Sequence, residues 1–346
     1  MTPLLHQRSS FFDLRPKDRV VVGDIPYIVD KQARGGMGCV YLLWQDSENV
    51  PPRLRTLGLK LALKAVLPDA ADADGIALFR RELTVWSNFR HANIVWLLEV
   101  VDGGDAGWVA AMDWCIGSLR DLQRERRRFS LKDSRNIVGA ILDGLAYAYT
   151  QDKVLHLDLK PENVLYHIDF AGLLNRSHNP NEKDSLSQYR FMVSDWGIAS
   201  IKKPALNRIA GLPPSSQAAQ RTFNNMGTLL YMAPERFKEG FSSSIASDVF
   251  SLGMIYFELL VGTLPFRQDM PPVQSLVTGQ YLRDAERLMN SHSLPKPIKK
   301  VIFRMIAYSP GERISNYAEL RKELIKAWRS SNSFLLKLFN KNYGTS

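Results

Sequence analysis

Three side chains in residues 156–165 have the types and the spacing of a group-transfer site. The segment reads His-Leu-Asp-Leu-Lys-Pro-Glu-Asn-Val-Leu, and it brings together the carboxylate of Asp158, the ammonium of Lys160 and the amide of Asn163. The proline interrupts regular structure, which is typical of a loop. Such a loop can hold groups around a reacting phosphoryl group. Asp158 would accept the proton of an attacking hydroxyl, Lys160 would neutralise the transferred group, and Asn163 would offer an oxygen to Mg²⁺.

A lone carboxylate, that of Asp195, ends an apolar strand pattern further along the chain. The two residues after it are Trp196, with its bulky ring, and Gly197. Carboxylate oxygens are preferred ligands of hard cations such as Mg²⁺. The pattern therefore indicates that Asp195 is a ligand of a hard cation.

A glycine-rich segment lies between two strand patterns near the start of the chain. Residues 34–40 read Arg-Gly-Gly-Met-Gly-Cys-Val. Glycines let backbone amides approach a phosphate closely, because no side chain stands in the way. A tight hairpin needs glycines for its turn in the same way, so this segment alone leaves both interpretations open.

A lysine in an apolar strand pattern favours the phosphate interpretation. Lys64 lies in the run Leu-Lys-Leu-Ala-Leu-Lys-Ala-Val-Leu, and a buried ammonium needs an anionic partner. The following helical pattern has Phe79, Leu83 and Trp86 on one stripe, and Glu82 shares that stripe. The sequence therefore predicts that Glu82 faces the core and pairs with Lys64.

Strands come first in this chain and helices follow. Alternating patterns predict a hairpin over 26–43 and further strands up to about Trp114, whereas helical patterns begin near Ser118. A long apolar helix ends at Gly262. Residues 167–189 are rich in Asn, Ser and Asp and are interpreted as a surface insertion, with a plain loop favoured over a docking element.

The composition excludes several classes of protein. The 346 residues are 45% hydrophobic and 23% charged, which is typical of globular chains and unlike disordered ones. Two cysteines are too few for a disulfide framework, and we interpret them as free thiols in a reducing compartment. Without a run of about 20 apolar residues, the sequence predicts neither a signal peptide nor a membrane-spanning helix.

The net charge of +10 is concentrated near the C-terminus. From Tyr281 onward there are 13 lysines and arginines against 5 acidic residues. Positive charge suits a nucleic acid, a membrane surface or a small polyanion, and its sign alone does not choose between them. The basic stretch lacks a recognition motif, so we expect no nucleic-acid partner. For the mixed apolar and lysine tail we favour a helix packed on its own domain over a membrane-surface helix.

In this order the motifs resemble the eukaryotic-like (Hanks-type) protein serine/threonine kinase family, and most of all its bacterial members. The resemblance runs from Gly35 to Arg313 and includes the glycine-rich loop, Lys64, Glu82, HLDLKPEN at 156–163, DWG at 195–197, MAPE at 232–235 and SDVFSLG at 247–253. It implies an α+β, two-lobed protein-kinase fold. The small N-lobe is an antiparallel sheet with one helix, and the larger C-lobe is mostly helical.

The resemblance also implies a domain organisation. Residues 1–24 would form an N-terminal arm, 25–114 the nucleotide-binding N-lobe and 115–329 the catalytic and substrate-binding C-lobe. Residues 330–346 would form a C-terminal tail. Glu235 would pair with Arg313 and so brace the large lobe.

The family's cofactors are ATP and Mg²⁺, and its site residues transfer to matching positions here. The resemblance implies that Asp158, Lys160, Lys64 and Glu82 are catalytic and that Asn163 and Asp195 hold the metal. Both cysteines would line the nucleotide site. The implied nucleotide-binding set is Ala33, Gly35, Gly36, Gly38, Val40, Ala62, Lys64, Met112, Asp113, Cys115 and Leu165.

The implied activity is ATP- and Mg²⁺-dependent transfer of phosphate to Ser or Thr hydroxyls of proteins, including the chain itself. Lys160, two positions after Asp158, is similar to the Ser/Thr branch, and Thr228 stands where that branch lines the acceptor site. We expect protein substrates, with self-association as an option for autophosphorylation, a cytoplasmic location and no membrane contact.

Three positions depart from the family pattern. Ala33 stands where the first loop glycine is usual, and Trp196 replaces the usual Phe. Leu157 replaces the arginine that normally precedes the base and pairs with a phosphorylated activation loop, which makes this a non-RD sequence. We therefore expect activity to persist when Ser215, Ser216 and Thr222 are changed to alanine.

Two other functions remain as alternatives. One is a pseudokinase, a binding module that keeps the fold without catalytic turnover, although each catalytic side chain is present. The other is a kinase of small molecules, against which Lys160, Thr228 and the Ala-Pro-Glu element at 233–235 argue, because they belong to peptide-acceptor architecture.

Overall fold

The computed structural model describes ten stretches of the chain: residues 14–22, 25–35, 38–46, 48–49, 60–66, 83–102, 108–169, 186–196, 227–238 and 243–342. The chain divides into two compact units. The first comprises Met1–Ile116 and Trp196–Ile201, and the second Gly117–Asp195 and Lys202–Ser346.

The first unit is built on a six-stranded antiparallel sheet with the order β1-β2-β3-β4-β6-β5. Its strands are β1 (Arg19–Val22), β2 (Ile25–Gly35), β3 (Gly38–Gln45), β4 (Lys60–Val66), β5 (Leu97–Asp102) and β6 (Trp108–Asp113). A short helix, α1, covers residues 83–87. The hairpin and the later strands are in place as the alternation predicts.

Alternation along β3 and β4 gives this sheet two chemically different faces, because successive side chains point to opposite sides. One face carries a buried core that includes Tyr41, Leu61 and Leu63. The other carries Val40 opposite Lys64. Cys39 is 2% exposed within the core, so the expectation that it lines the nucleotide site is wrong: it lies on the face opposite to Val40.

Part of the predicted arm, residues 1–24, belongs to the sheet. Strand β1 pairs with β2, with Val20 opposite Tyr27, and Leu14 is buried in the same core. The apolar residues of the run Arg-Val-Val-Val were enough for a strand, which the mixed polarity of the segment obscured.

The second unit is mostly helical, with one small sheet of order β7-β8-β9. The strands are β7 (Gly117–Ser118), β8 (Val164–Ile168) and β9 (Tyr189–Val193). The helices are α2 (Leu119–Glu125), α3 (Leu131–Asp152), α4 (Ile245–Val261), α5 (Pro272–Thr278), α6 (Gln280–Ser291), α7 (Lys296–Met305) and α8 (Tyr317–Asn342). A strand-rich first unit and a helix-rich second unit make up the predicted α+β class.

Helix α4 is buried along its length, from Ala246 to Val261. It packs against α3 and α7, which explains why its sequence is apolar on all sides. The helix ends at Gly262, whose φ of 87° lies in the left-handed region that glycine adopts without strain. The predicted end of the helix is therefore confirmed.

Both ends of the predicted insertion, residues 167–189, form regular secondary structure. Strand β8 extends through Ile168, and β9 begins at Tyr189 opposite it. Leu186 is buried, and its backbone N–H donates to the carboxylate of Asp133 on α3 at 3.2 Å. Residues 170–185 lie outside the described part of the chain.

Helix α8 continues through the predicted boundary at residue 330 to Asn342. Its side chains are described up to Ser331, and Leu320, Leu324 and Ala327 are buried along one stripe. Within the described residues, the helices are too short or too polar for any of them to cross a lipid bilayer.

Candidate active site

Asp158 is 4% exposed, and the side chains nearest to it in the loop hold its carboxylate. The amide nitrogen of Asn163 donates to Oδ2 of Asp158 at 3.1 Å and to its backbone carbonyl at 2.9 Å. The ammonium of Lys160 lies 3.5 Å from the same Oδ2. The structure thus brings together the three side chains that the spacing singled out.

A single turn of 3₁₀ helix, Pro161–Asn163, closes the loop and sets this geometry. Proline suits its first position, because that residue needs no N–H donor there. The backbone N–H of Asn163 donates to the carbonyl of Lys160 at 2.9 Å, and strand β8 begins at the next residue. The turn therefore directs the Asn163 amide back onto Asp158.

The pairing of β8 with β9 brings Asp195 to the same end of this hairpin as Asn163. Val164 lies opposite Val193, so Asn163 precedes one strand and Asp195 follows the other. The backbone N–H and the hydroxyl of Ser194 both donate to the carbonyl of Asn163, at 2.9 and 3.1 Å. Asp195 has a φ of 62°, which turns the chain sharply as the strand ends.

This pair of residues fits a hard cation by its donor chemistry. Both hydrogen bonds of the Asn163 side chain to described residues use its nitrogen, so its amide oxygen can act as a ligand together with the carboxylate of Asp195. Among the described residues no cluster of three His, Cys, Asp or Glu side chains forms a metal site. A magnesium ion here would complete its shell with water and phosphate oxygens, as this ion commonly does.

The backbone before Asp158 is strained and firmly held. Leu157 has a φ of 59°, a conformation that costs a residue with a side chain about 1–2 kcal/mol. The buried carboxylate of Asp248 on α4 accepts the backbone N–H of His156 at 2.8 Å and that of Leu157 at 2.7 Å. Its Oδ2 also accepts the hydroxyl of Tyr317 at 3.0 Å.

His156 links this loop to the residue before Asp195. Its Nδ1 accepts the backbone N–H of Asp158 at 3.2 Å, which makes Nε2 the donor to the carbonyl of Ser194 at 2.8 Å. The ring is fully buried. One imidazole therefore fixes the backbone at both candidate carboxylates.

An ion pair and an adjacent arginine brace the loop from the 3₁₀ turn Pro234–Phe237. Glu235 and Arg313 form a buried two-bond ion pair with both N–O distances at 2.8 Å, so the pairing that the resemblance implies is present. Arg236, which follows Glu235 in the sequence, donates from Nη1 to the carbonyl of Leu157. Sequence reasoning missed this second contact.

A second polar cluster that the sequence did not reveal surrounds Arg120. Its guanidinium donates to Glu162 at 2.8 Å, to Glu258 at 3.0 Å and to the hydroxyl of Tyr231. Burial, and then the charge of Glu258, raise the pKa of Tyr231 well above its ordinary value, so the phenol stays protonated and donates to Glu258. These residues come from α2, the turn Pro161–Asn163, the 3₁₀ turn Gly227–Tyr231 and α4, and no local pattern joins them.

Several predicted nucleotide-binding residues share one face of the first unit's sheet. Val40 pairs with Lys64, and Ala62 pairs with Met112. Lys64 is two residues from Ala62 on the same strand, so these side chains lie on the face opposite the Cys39 core. The hairpin closes where Gly35 pairs with Gly38, and Ala33 pairs with Val40.

The remaining predicted nucleotide-binding residues belong partly to the first unit and partly to the second. In the first unit, the N–H of Asp113 donates to the carbonyl of Trp96 at 3.0 Å, and the thiol of Cys115 lies 3.9 Å from the carbonyl of Asp113. Leu165 lies in β8 of the second unit, opposite Met192.

Trp196 is 1% exposed and packs in the first unit. Its ring meets Phe89 edge to face, with centroids 5.5 Å apart and planes at 78°. This packing is favourable for aromatic pairs. The larger ring at this position is therefore accommodated.

Some predicted residues lie outside the described part of the chain: Gly36, Glu82, Gly197, Ser215, Ser216 and Thr222. The pairing of Glu82 with Lys64 accordingly stays a prediction. The backbone of Thr228 falls in the 3₁₀ turn Gly227–Tyr231.

Comparison with known proteins agrees with this arrangement. The model of the family described as "Protein kinase domain" matches residues 34–325. The serine/threonine-protein kinase H1 homolog of Danio rerio is 28% identical over 263 residues, which are 75% of this chain and 54% of that protein. The serine/threonine-protein kinase PrkC of Bacillus subtilis is 27% identical over 296 residues, 85% of this chain and 39% of that protein.

A solved structure shares the fold. A crystal structure of Rad53 1–466 in complex with AMP-PNP aligns with a TM-score of 0.60 and 22% identity, covering 88% of this chain and 65% of that one. The chain spans about half or less of the length of the two curated relatives above.

Proposed function

Because the chain belongs to the protein kinase domain family, we propose that it transfers the γ-phosphoryl group of ATP to Ser and Thr hydroxyls of proteins. The observation that carries this proposal is the geometry around Asp158. Its carboxylate is buried, oriented by Asn163 and neighboured by the Lys160 ammonium.

The chemistry follows from these positions. As the acceptor oxygen forms its bond to the γ-phosphorus, the bond from that phosphorus to the β,γ-bridging oxygen breaks and ADP leaves. The hydroxyl proton passes to the carboxylate of Asp158. Lys160 offsets the negative charge of the transferred group.

Mg²⁺ would be held by Asn163 and Asp195, and when bound it would offset phosphate charge. Lys64, paired with Glu82, would orient the α- and β-phosphates. We assign the nucleotide to Ala33, Gly35, Gly36, Gly38, Val40, Ala62, Met112, Asp113, Cys115 and Leu165. Three of these, Val40, Ala62 and Met112, share the sheet face that carries Lys64.

The two lobes would have separate roles, and the protein would act in the cytoplasm. We assign nucleotide binding to the N-lobe, residues 25–114, and acceptor binding to the C-lobe, residues 115–329. The chain would phosphorylate itself as well as other proteins. Its activation loop would not have to be phosphorylated for activity, because Leu157 has no charge with which to bind a phosphate. Both cysteines are free thiols, which suits a reducing, cytoplasmic setting.

The test is phosphate transfer from labelled ATP in the presence of Mg²⁺. Wild-type protein is compared with Asp158→Asn, which keeps the shape of the side chain but lacks the basic carboxylate. A generic acceptor protein is included, and phosphorylated positions are mapped by mass spectrometry. We expect phosphoserine or phosphothreonine with wild type and at least about a 100-fold lower rate with the variant.

Two results would contradict the proposal. Equal labelling by both proteins would mean that Asp158 does not carry the chemistry. No labelling by either, with ATP still raising the melting temperature, would favour a pseudokinase that binds nucleotide without turnover.

A further inference from the structure

The peptide bond between Leu157 and Asp158 is held at both edges. Its N–H, which belongs to Asp158, donates to Nδ1 of His156 at 3.2 Å. Its carbonyl, which belongs to Leu157, accepts from the guanidinium of Arg236. The tilt of this peptide sets the direction in which the Asp158 side chain leaves the backbone, so both contacts bear on where the carboxylate points.

The left-handed conformation of Leu157 makes such a restraint necessary. Its φ is 59°, a region that a leucine leaves readily unless its surroundings hold it there. Asp248 restrains the two preceding peptides, through the backbone N–H groups of His156 and Leu157. Among the described residues, the carbonyl side of Leu157 is held by Arg236 alone.

Arg236 is carried by a rigid support. It lies in the 3₁₀ turn Pro234–Phe237, directly after Glu235. Glu235 is fixed by its two bonds to Arg313 and by the hydroxyl of Ser247 at 3.1 Å. A movement of the backbone at Arg236 away from Leu157 would therefore disturb a buried ion pair.

The charges around Arg236 favour the same position. Burial lowers its pKa, whereas the carboxylates of Asp248, Asp158 and Glu235 act in the opposite direction. An arginine keeps its charge at such a site, because its guanidinium is protonated throughout the usual pH range. The side chain of Leu157 itself is apolar and supplies no charge of this kind.

Building on the proposed function, we infer that Arg236 is a positioning residue for phosphoryl transfer: by binding the Leu157 carbonyl it fixes the peptide that directs Asp158. The contact is made within the chain and uses no phosphate. It gives the loop of residues 156–163 a permanent restraint at the position where the family commonly relies on an arginine paired with a phosphorylated activation loop.

The test compares three variants of the full chain. Arg236→Met keeps much of the bulk and removes both the donor and the charge, whereas Arg236→Lys keeps one donor and the charge. Arg267→Met is the matched control, because Arg267 is exposed and pairs only with Asp269 among the described residues. Each is assayed for kcat, for KM of ATP and for urea unfolding.

We expect kcat to fall on the order of 10- to 100-fold in Arg236→Met, with KM for ATP changed less than about twofold. Arg236→Lys should recover a clear part of the loss, and the control should match wild type. A residue needed only for folding would instead lower the active fraction and leave kcat per folded molecule unchanged. That outcome, or an unchanged kcat in Arg236→Met, overturns the inference.

Hydrogen exchange provides a readout that does not need activity. In peptides covering residues 156–160, Arg236→Met should exchange faster than both wild type and Arg267→Met, because the loop loses one of its restraints. Equal exchange in all three proteins overturns the inference. An inactive wild type would overturn the proposed function, and the exchange comparison would still decide whether Arg236 restrains the loop.

Discussion

The sheet of the first unit and the loop of residues 156–163 in the second hold their candidate site residues in different ways. In the sheet, Lys64 and Ala62 are placed by strand alternation and by pairing with β3 and β6. In the loop, the backbone that leads to Asp158 is held by polar side chains that are distant in sequence. Asp248 and Arg236 lie 91 and 79 positions from the Leu157 backbone groups that they bind.

The difference shows how two kinds of restraint fail. A side chain in the sheet is placed by many small apolar contacts. Truncating one core residue therefore lowers stability but leaves the other side chains of that face in position. A loop position depends on a few directed bonds, so losing one of them changes where a side chain points. Variants in the two regions should therefore separate stability from rate.

The largest effect is expected from the buried ion pair of the second unit. Arg313→Met leaves the Glu235 carboxylate buried and unpaired, which should lower the free energy of unfolding by about 3–5 kcal/mol. Urea unfolding measures it. The double variant Arg313→Met with Glu235→Leu should recover part of that loss, and a double variant no better than the single one would speak against an uncompensated charge as the cause.

The second-largest effect is expected from truncating a core side chain in the sheet. Leu63→Ala removes a side chain that is 1% exposed, which should cost about 2–5 kcal/mol of unfolding free energy. Leu42→Ala changes a half-buried residue on the opposite face; it is the matched control and should cost less. The comparison of the two regions breaks down if Leu63→Ala also lowers kcat per folded molecule.

The loop should respond in rate. Asp248→Asn replaces one acceptor oxygen by a donor, so the N–H groups of His156 and Leu157 can no longer both be bound. We expect kcat to fall on the order of 100-fold with KM for ATP nearly unchanged. A loss confined to stability would place Asp248 with the core residues instead.

A smaller effect is expected at alkaline pH. Burial raises the pKa of Tyr256 to about 12, although the bond from Trp328 acts against it. Between pH 10 and 12 the folded state then holds a proton that the unfolded state releases, so this group's contribution to stability is lost as pH rises through that range. The slope is about 1.4 kcal/mol per pH unit. Urea unfolding of Tyr256→Phe should show a flatter decline, and an equal slope would contradict this assignment.

The smallest effect is predicted for the segment outside the described residues. Changing Ser215, Ser216 and Thr222 together to alanine should leave kcat close to that of wild type, since Leu157 has no charge with which to read a phosphate. Steady-state phosphate transfer by the two proteins measures it. A loss of activity with nucleotide binding intact would show that the loop depends on modification after all.

Much of the fold could be predicted from the sequence, because its signals are local. Period-two alternation predicts the strands up to Asp113, and Gly262 predicts the end of α4. The local signal failed at β1, where a short apolar run sits within a polar segment. At Cys39 the expectation implied by the resemblance was wrong, because adjacent residues of a strand point to opposite faces of the sheet and Val40 occupies the other face.

The candidate site divides along the same line. Asp158, Lys160 and Asn163 lie within six residues, and their spacing indicates a shared role before any fold is known. The braces from Asp248 and Arg236, and the cluster around Arg120, carry no local signal of that role. A single sequence does not reveal which of its arginines will meet which carbonyl.

By itself the sequence determined the family of this protein, its strand-rich and helix-rich halves, and the chemical groups available for phosphoryl transfer. The tertiary structure decided how those groups are aimed: the side of the sheet that Cys39 occupies, the strained Leu157 backbone and the guanidinium that holds it. The physical reason is range. Propensity and alternation act over a few residues, whereas a buried hydrogen bond joins whatever partners the packing of the chain brings within about 3 Å.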